Sequence, residues 1–164
     1  MNTTTTQQTA ARQLIERLRA LGLTVATAES CTGGNIAHEL TLVAGCSDVV
    51  QGGVVAYQNP VKERLLGVPA RTLELNGAVS GPVVTHMAVG ACRALESTCA
   101  VATSGIAGPG GAVPGKPVGT VWIAARCPHK GTVARRYQFD GTRAEIIGQA
   151  TLTAMLLLQS LLDN

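Results

Sequence analysis

The chain reads as one α/β domain, a single three-layer α/β/α sandwich around a mixed central sheet. Three observations predict this. Amphipathic helical patterns occupy both ends of the chain, short apolar β-rich runs alternate with helical segments between them, and two runs within 118–139 are spaced as a hairpin. Length and composition agree. With 164 residues, 46% hydrophobic and 14% charged, the chain can bury a continuous core without disulfide or metal staples. Aromatic residues are only 2%, so that core must be built from Ala, Val, Leu and Ile.

Ala11, Leu14, Ile15, Leu18 and Leu21 recur at helical spacing, and Gly22 supplies a stop, which predicts a helix from about Thr6 to Leu21. Residues 1–7 read as a disordered tail. A short strand over 23–28 follows, then a loop. Ile36, Ala37, Leu40, Val43 and Ala44 fit a helix ending at Gly45. The β-rich run VVQGGVVAY (49–57) carries two glycines that predict a bulge or a close backbone approach. NPVKERLLG (59–67) reads as a short helix with Asn59 as N-cap, Pro60 in the first turn and Gly67 beyond its end. A longer helix runs from Ser80, as cap, to Leu95. CAVAT (99–103) reads as a buried strand, VGTVWIAAR (118–126) and TVARRYQF (132–139) as the hairpin, and Arg143 to about Leu162 as the last helix.

Several function classes drop out. The net charge of +3 is mild and the basic residues do not cluster, so no nucleic-acid partner is expected. The five cysteines, at 31, 46, 92, 99 and 127, include no C-x-x-C pair, which argues against a disulfide framework or a metal site and makes the reducing cytoplasm the default compartment. MNTTTTQQTA lacks the regions of a signal peptide, and no run approaches ~18 apolar residues, so no membrane partner is expected.

Three loops can carry chemistry. In TAESCTGG (27–34), Ser30 lies where a strand gives way to a helix, and Gly33 and Gly34 permit tight backbone geometry. Ser30 is either an N-cap or an exposed nucleophile with backbone N–H groups at Cys31, Thr32, Gly33 and Gly34 to hold an oxyanion. Cys31 is the rival nucleophile, but as the strand-end neighbour of Ser30 it projects the other way. His38, His86 and His129 fall beside no triad-like set, which leaves Lys62 as the better base. From an ordinary value near ~10.4, about one lysine in 2,500 is neutral at pH 7. A pKa of about 8 would leave roughly a tenth neutral, at a cost of about 3 kcal/mol. A helix dipole worth ~0.3–1 kcal/mol cannot supply that, so burial or a cation such as Arg64 must. The alternative is a surface lysine beside Glu63. Tyr57, at the preceding strand end, would relay a proton or orient Ser30, or is a half-buried strand residue. The third loop, SGIAGPGGAVPGKPVG (104–119), nearly spells a phosphate-binding loop at Gly110-x4-Gly115-Lys116. Pro117 offers no hydroxyl and a strand follows, so that reading fails. Thr103, Ser104 and Gly105, at the mouth of a buried strand, remain ligand-contact candidates.

TAESCTGG, GGVVAYQNPVKERLLGV, GAVSGPVVTHMAVGA, TSGIAGPGG…KPVGTVWIA and F.GTR occur in this order, and together they closely resemble the C-terminal domain of CinA-type competence/damage-inducible proteins, the nicotinamide mononucleotide deamidases. The resemblance spans about residues 8–162. It implies an amidohydrolase that converts nicotinamide mononucleotide to nicotinate mononucleotide and ammonia in pyridine-nucleotide recycling. It also implies a Ser30–Lys62–Tyr57 catalytic set, no metal or other cofactor, a small-molecule nucleotide as substrate and a homodimer. Cys31, Thr32, Gly33, Gly34, Thr103, Ser104, Gly105, Gly108 and Arg143 are the substrate-binding candidates, Arg143 for the phosphate. One departure stands out: where relatives usually read G-D-R-x-x-V-R, this chain has Thr142 for the acid and Ile147 for the second arginine. Two alternatives stay open, a non-catalytic nucleotide-binding module of the same fold and an amidase for another amide.

Overall fold

The computed structural model describes residues 3–163. In chain order the elements are α1 (Thr3–Ala20), β1 (Val25–Glu29), α2 (Asn35–Thr41), a 3-10 turn at Cys46–Asp48, β2 (Val50–Val55), α3 (Asn59–Leu66), α4 (Ala70–Asn76), α5 (Gly81–Leu95), β3 (Cys99–Gly105), β4 (Thr120–Cys127), β5 (Gly131–Gln138) and α6 (Arg143–Asp163). The five strands form one sheet in the order β2-β1-β3-β4-β5. β1 runs parallel to both β2 and β3, whereas β4 and β5 are antiparallel, so the sheet is mixed and the fold is the expected sandwich.

The alternation of side chains along β1 and β3 splits the core between the two faces. Val25, Cys99 and Val101 pack with Leu14, Leu18, Leu40 and Leu158 of α1, α2 and α6. Ala26, Ala28, Ala100 and Ala102 pack with Leu66, Leu73, Val84 and Met87 of α3, α4 and α5. Small alanines on that second face let α5 lie close to the sheet, which is how a chain with so few aromatic residues closes its core. By length and composition α6 is apolar enough to cross a membrane. Its Ile146, Ala150, Ala154 and Leu158 instead lie in the core.

The two glycines of β2 do what their positions predict. The β1–β2 register shifts opposite Val25 and Ala26, a bulge, and a Cβ on Gly53 would collide with Thr27 Oγ1. Five expectations need correction. α1 takes in Thr3 onward, including Gln7, which is buried and donates to the Gly148 carbonyl at 2.8 Å, so the tail assigned to 1–7 does not hold from residue 3; residues 1–2 of that tail lie outside the described residues. α2 stops at Thr41, short of Gly45, because Gly45 turns left-handed (φ 76°) into the 3-10 turn. The N-cap of α3 is Gln58 rather than Asn59. Ser80 does occupy the N-cap position of α5, but its hydroxyl donates back to the Gly77 carbonyl at 2.8 Å instead of capping the helix. Finally, α4 was not foreseen: ARTLELN buries only Leu73 and so carries almost no periodic signal.

α3 and α5 meet where Gly90 faces the carbonyl of Leu66, so closely that a Cβ would run into that oxygen. Gly90→Ala is therefore expected to destabilise the protein by about 1–3 kcal/mol, as overpacking does, measured by denaturant unfolding. Because it pushes on the helix that carries Lys62, it should also lower activity.

Candidate active site

β1 is followed by a connection to β2 on one side and, through α3–α5, the chain returns to β3 on its other side. The carboxyl ends of β1 and β3 thus open on a topological switch point, where α/β sheets leave a crevice. Ser30 caps β1 there, its N–H donating to the Thr103 carbonyl at 3.0 Å. The alternation along the strand turns Ser30 toward the α3–α5 face and Cys31 toward the opposite core.

Lys62 arrives from α3. Its side chain is 1% exposed. The ammonium nitrogen Nζ lies 3.1 Å from Ser30 Oγ, 2.8 Å from the Ala56 carbonyl and 3.1 Å from the Tyr57 carbonyl. Burial pushes its pKa below the ordinary lysine value. Of the causes weighed from sequence, burial is therefore the one at work; Arg64 is exposed and contributes nothing to the shift. Tyr57 touches Lys62 through its main-chain carbonyl and not its hydroxyl. The ring is half exposed, and its hydroxyl accepts from Arg143 Nη2 at 2.8 Å. A proton relay through the Tyr57 hydroxyl is thus not the geometry found.

Arg143, at the start of α6, also donates from Nη1 to the Gly108 carbonyl at 2.8 Å. The two bonds tie Tyr57 and the β3–β4 loop to α6. Together they wall a cavity of about 190 Å³ lined by Cys31, Tyr57, Gly105, Ile106, Ala107, Gly108, Gly110, Gly111 and Arg143. A wider open groove of about 1030 Å³, touching Thr32, Gly33 and Gly34, lies along α2 and the start of α6, and contains neither Tyr57 nor Arg143. Neither Ser30 nor Lys62 lines the smaller cavity, but Cys31, the chain neighbour of Ser30, and Tyr57, whose carbonyl accepts from Lys62, both do, and size does not outweigh that connection.

Of the proposed contacts, Cys31, Gly105, Gly108 and Arg143 line the cavity. Four others do not serve as expected. Thr103 is fully buried and its hydroxyl lies 2.7 Å from Thr32 Oγ1, which in turn donates to Glu29 Oε2 at 2.6 Å. The Gly33 N–H donates to the Ser30 carbonyl and the Gly34 N–H to Glu29 Oε2, so neither is available to an oxyanion. Ser104 is 1% exposed and lies outside the cavity lining. Ile106, Ala107, Gly110 and Gly111 were missed; only the length and Gly/Pro content of their loop pointed to them. Lys116 donates to the Asn76 carbonyl at 2.9 Å, pinning that loop rather than cradling phosphate. The three histidines are exposed and none bonds to Ser30.

Burial pushes the Cys31 thiol up to about 12. It is a packed thiol and not a thiolate nucleophile. Iodoacetamide at neutral pH is expected to leave Cys31 unmodified in peptide mass spectra, under conditions that alkylate the half-buried Cys46.

The sequence matches the CinA C-terminal domain model over residues 7–162. The chain belongs to the CinA C-terminal domain family. It is 46% identical to the nicotinamide-nucleotide amidohydrolase PncC of Escherichia coli (strain K12), over 93% of both chains. It is 50% identical to a CinA-like protein of Anaeromyxobacter dehalogenans over 89% of this chain but only 36% of that longer relative. Among solved structures, the competence/damage inducible protein CihA of Agrobacterium tumefaciens superposes with a TM-score of 0.92 at 41% identity, covering 97% of this chain and 96% of that one. Against the family pattern the Thr142 departure keeps a helix start. The Thr142 N–H donates to Glu145 Oε2 at 2.7 Å and the Glu145 N–H to Thr142 Oγ1 at 3.3 Å, a reciprocal capping box. Ile147 packs against the core beside α1 and α2.

Proposed function

We propose that this CinA-family chain is a nicotinamide-nucleotide amidohydrolase acting through Ser30 and Lys62. The observation that carries this reading is the environment of Lys62 Nζ. A neutral amine has two N–H donors and one lone pair. The Ala56 and Tyr57 carbonyls are placed to take both donors, which leaves the lone pair for the Ser30 hydroxyl at 3.1 Å. Burial favours that neutral form.

Ser30 Oγ then attacks the carboxamide carbon while its proton passes to Lys62 Nζ. The tetrahedral intermediate collapses as Lys62 returns the proton to the departing nitrogen, and ammonia leaves. Water attacks the acyl-enzyme, giving its proton to Lys62, and the Ser30 oxygen is released as the hydroxyl. The cavity receives the pyridine ring and its carboxamide, with Cys31 and Tyr57 as walls. Ribose and phosphate extend outward, where Arg143 retains guanidinium N–H groups beyond those given to Gly108 and Tyr57. Such a conversion recycles pyridine nucleotides.

The test is ammonia release from nicotinamide mononucleotide by the purified protein, run beside a panel of other amides. Turnover of the nucleotide supports the reading. Turnover of another amide alone moves the substrate, and no turnover of any amide contradicts the assignment.

A further inference from the structure

Glu29 is a fully buried carboxylate one residue before the nucleophile, and the chemistry above gives it no task. Among the described residues no cation pairs with it. Its oxygens accept from four donors: Thr32 Oγ1 at 2.6 Å, Gly34 N–H at 3.1 Å and Ile36 N–H at 3.0 Å on Oε2, and Ala37 N–H at 2.9 Å on Oε1. Three of these are amides at the start of α2, a helix whose N-cap, Gly34, has φ 99° and no side chain to cap it. Those amides have no partner within the helix and lie at the positive end of its dipole, which is why a carboxylate is stable there without a counter-ion.

We propose that Glu29 is a positioning residue for the catalytic turn. Its carboxylate fastens the end of β1 to the start of α2 and to Thr32, and through Thr32 to Thr103 of β3. Residues 30–32 are held between those anchors, so Ser30 Oγ stays in reach of Lys62. The N–H groups of Cys31 and Thr32, which have no acceptor among the described residues, become the donors for the oxyanion.

The inference rests on Ser30 being the nucleophile, so the test uses a reagent that does not depend on the amide. A fluorophosphonate forms a phosphorus–oxygen bond with Ser30 Oγ, expels fluoride and leaves the serine proton on Lys62. Glu29→Gln keeps the shape but turns an amide N–H toward the donors. It should slow phosphonylation of Ser30 and lower kcat for the nucleotide by about 10²-fold, as a misplaced reacting group does. KM should stay within about twofold, and the pH midpoint of phosphonylation should be unchanged, since Glu29 takes no part in the shift of Lys62. Leu40→Ala, a core truncation on the same helix, controls for lost stability and should retain the wild-type rate. If Glu29→Gln does not fold, Thr32→Val, which removes one donor from Glu29, decides by the same readings with a smaller loss. Wild-type rates in the variants, an equal loss in Leu40→Ala or a moved pH midpoint would overturn the proposal. If wild type reacts with the probe but releases no ammonia from the nucleotide, the substrate reading falls and the role of Glu29 stands.

Discussion

Ser30→Ala is expected to abolish ammonia release, with kcat falling by about 10³-fold or more, the scale seen when a serine nucleophile is removed. The fold should survive, because among the described residues the Ser30 hydroxyl's hydrogen bond is the one to Lys62 and alanine keeps the Cβ. Its main-chain N–H still reaches the Thr103 carbonyl. Thermal unfolding close to that of wild type, combined with lost turnover and lost labelling by a fluorophosphonate, is the expected pattern. A variant with full turnover would place the nucleophile elsewhere. Cys31 is the neighbouring alternative, and its raised pKa speaks against it.

Lys62→Met should be nearly as damaging, with kcat lower by about 10²–10⁴-fold, the range for a general base. Methionine fills a similar volume without the amine, so packing under α3 is kept. The pH dependence of the two proteins separates the roles. In wild type, activity should rise with pH through the folded pKa of Lys62, with its midpoint below the ordinary value of 10.5. Stability is linked in the same direction. The unfolded chain holds the Lys62 proton up to its ordinary value, whereas the folded protein releases it earlier. Between those two points the unfolded state binds more protons, and wild-type stability rises with pH. Lys62→Met lacks that rise. Its advantage in thermal midpoint should therefore be largest at lower pH and shrink toward pH 10.5.

The sheet, the two terminal helices and the hairpin were legible because each has a strong period in hydrophobicity, and Gly22 and Gly67 mark real stops. The segment ARTLELN was not, since a helix that buries one leucine resembles a loop. Ser30 and Lys62 could be picked from residue type and position, but their contact spans 32 residues and depends on the parallel pairing of β1 with β2 and on how α3 then folds back. No local pattern encodes that. The sequence offered burial or a cation as the cause of a Lys62 shift but could not choose between them: a helix start can be read from Asn-Pro, whereas burial is a property of the packed chain. The misreading of Thr103, Gly33 and Gly34 has a shared origin. Each looks like a free donor, Thr103 at a strand mouth and the glycines in a tight turn, and each is consumed by Glu29, Thr32 or the Ser30 carbonyl. The missing cap of α2 was the available signal, since a helix starting after glycine needs an acceptor from elsewhere.

Whether Lys62 is the base can be read from its own titration. Protein labelled with carbon-13 at lysine Cε, with the Lys62 resonance assigned by its loss in Lys62→Met, can be followed by NMR across the alkaline range. Lys62 is expected to titrate with a midpoint below the ordinary 10.5, coincident with the midpoint of the activity profile. A Lys62 that titrates at or above 10.5, or whose midpoint is unrelated to the activity profile, would contradict it.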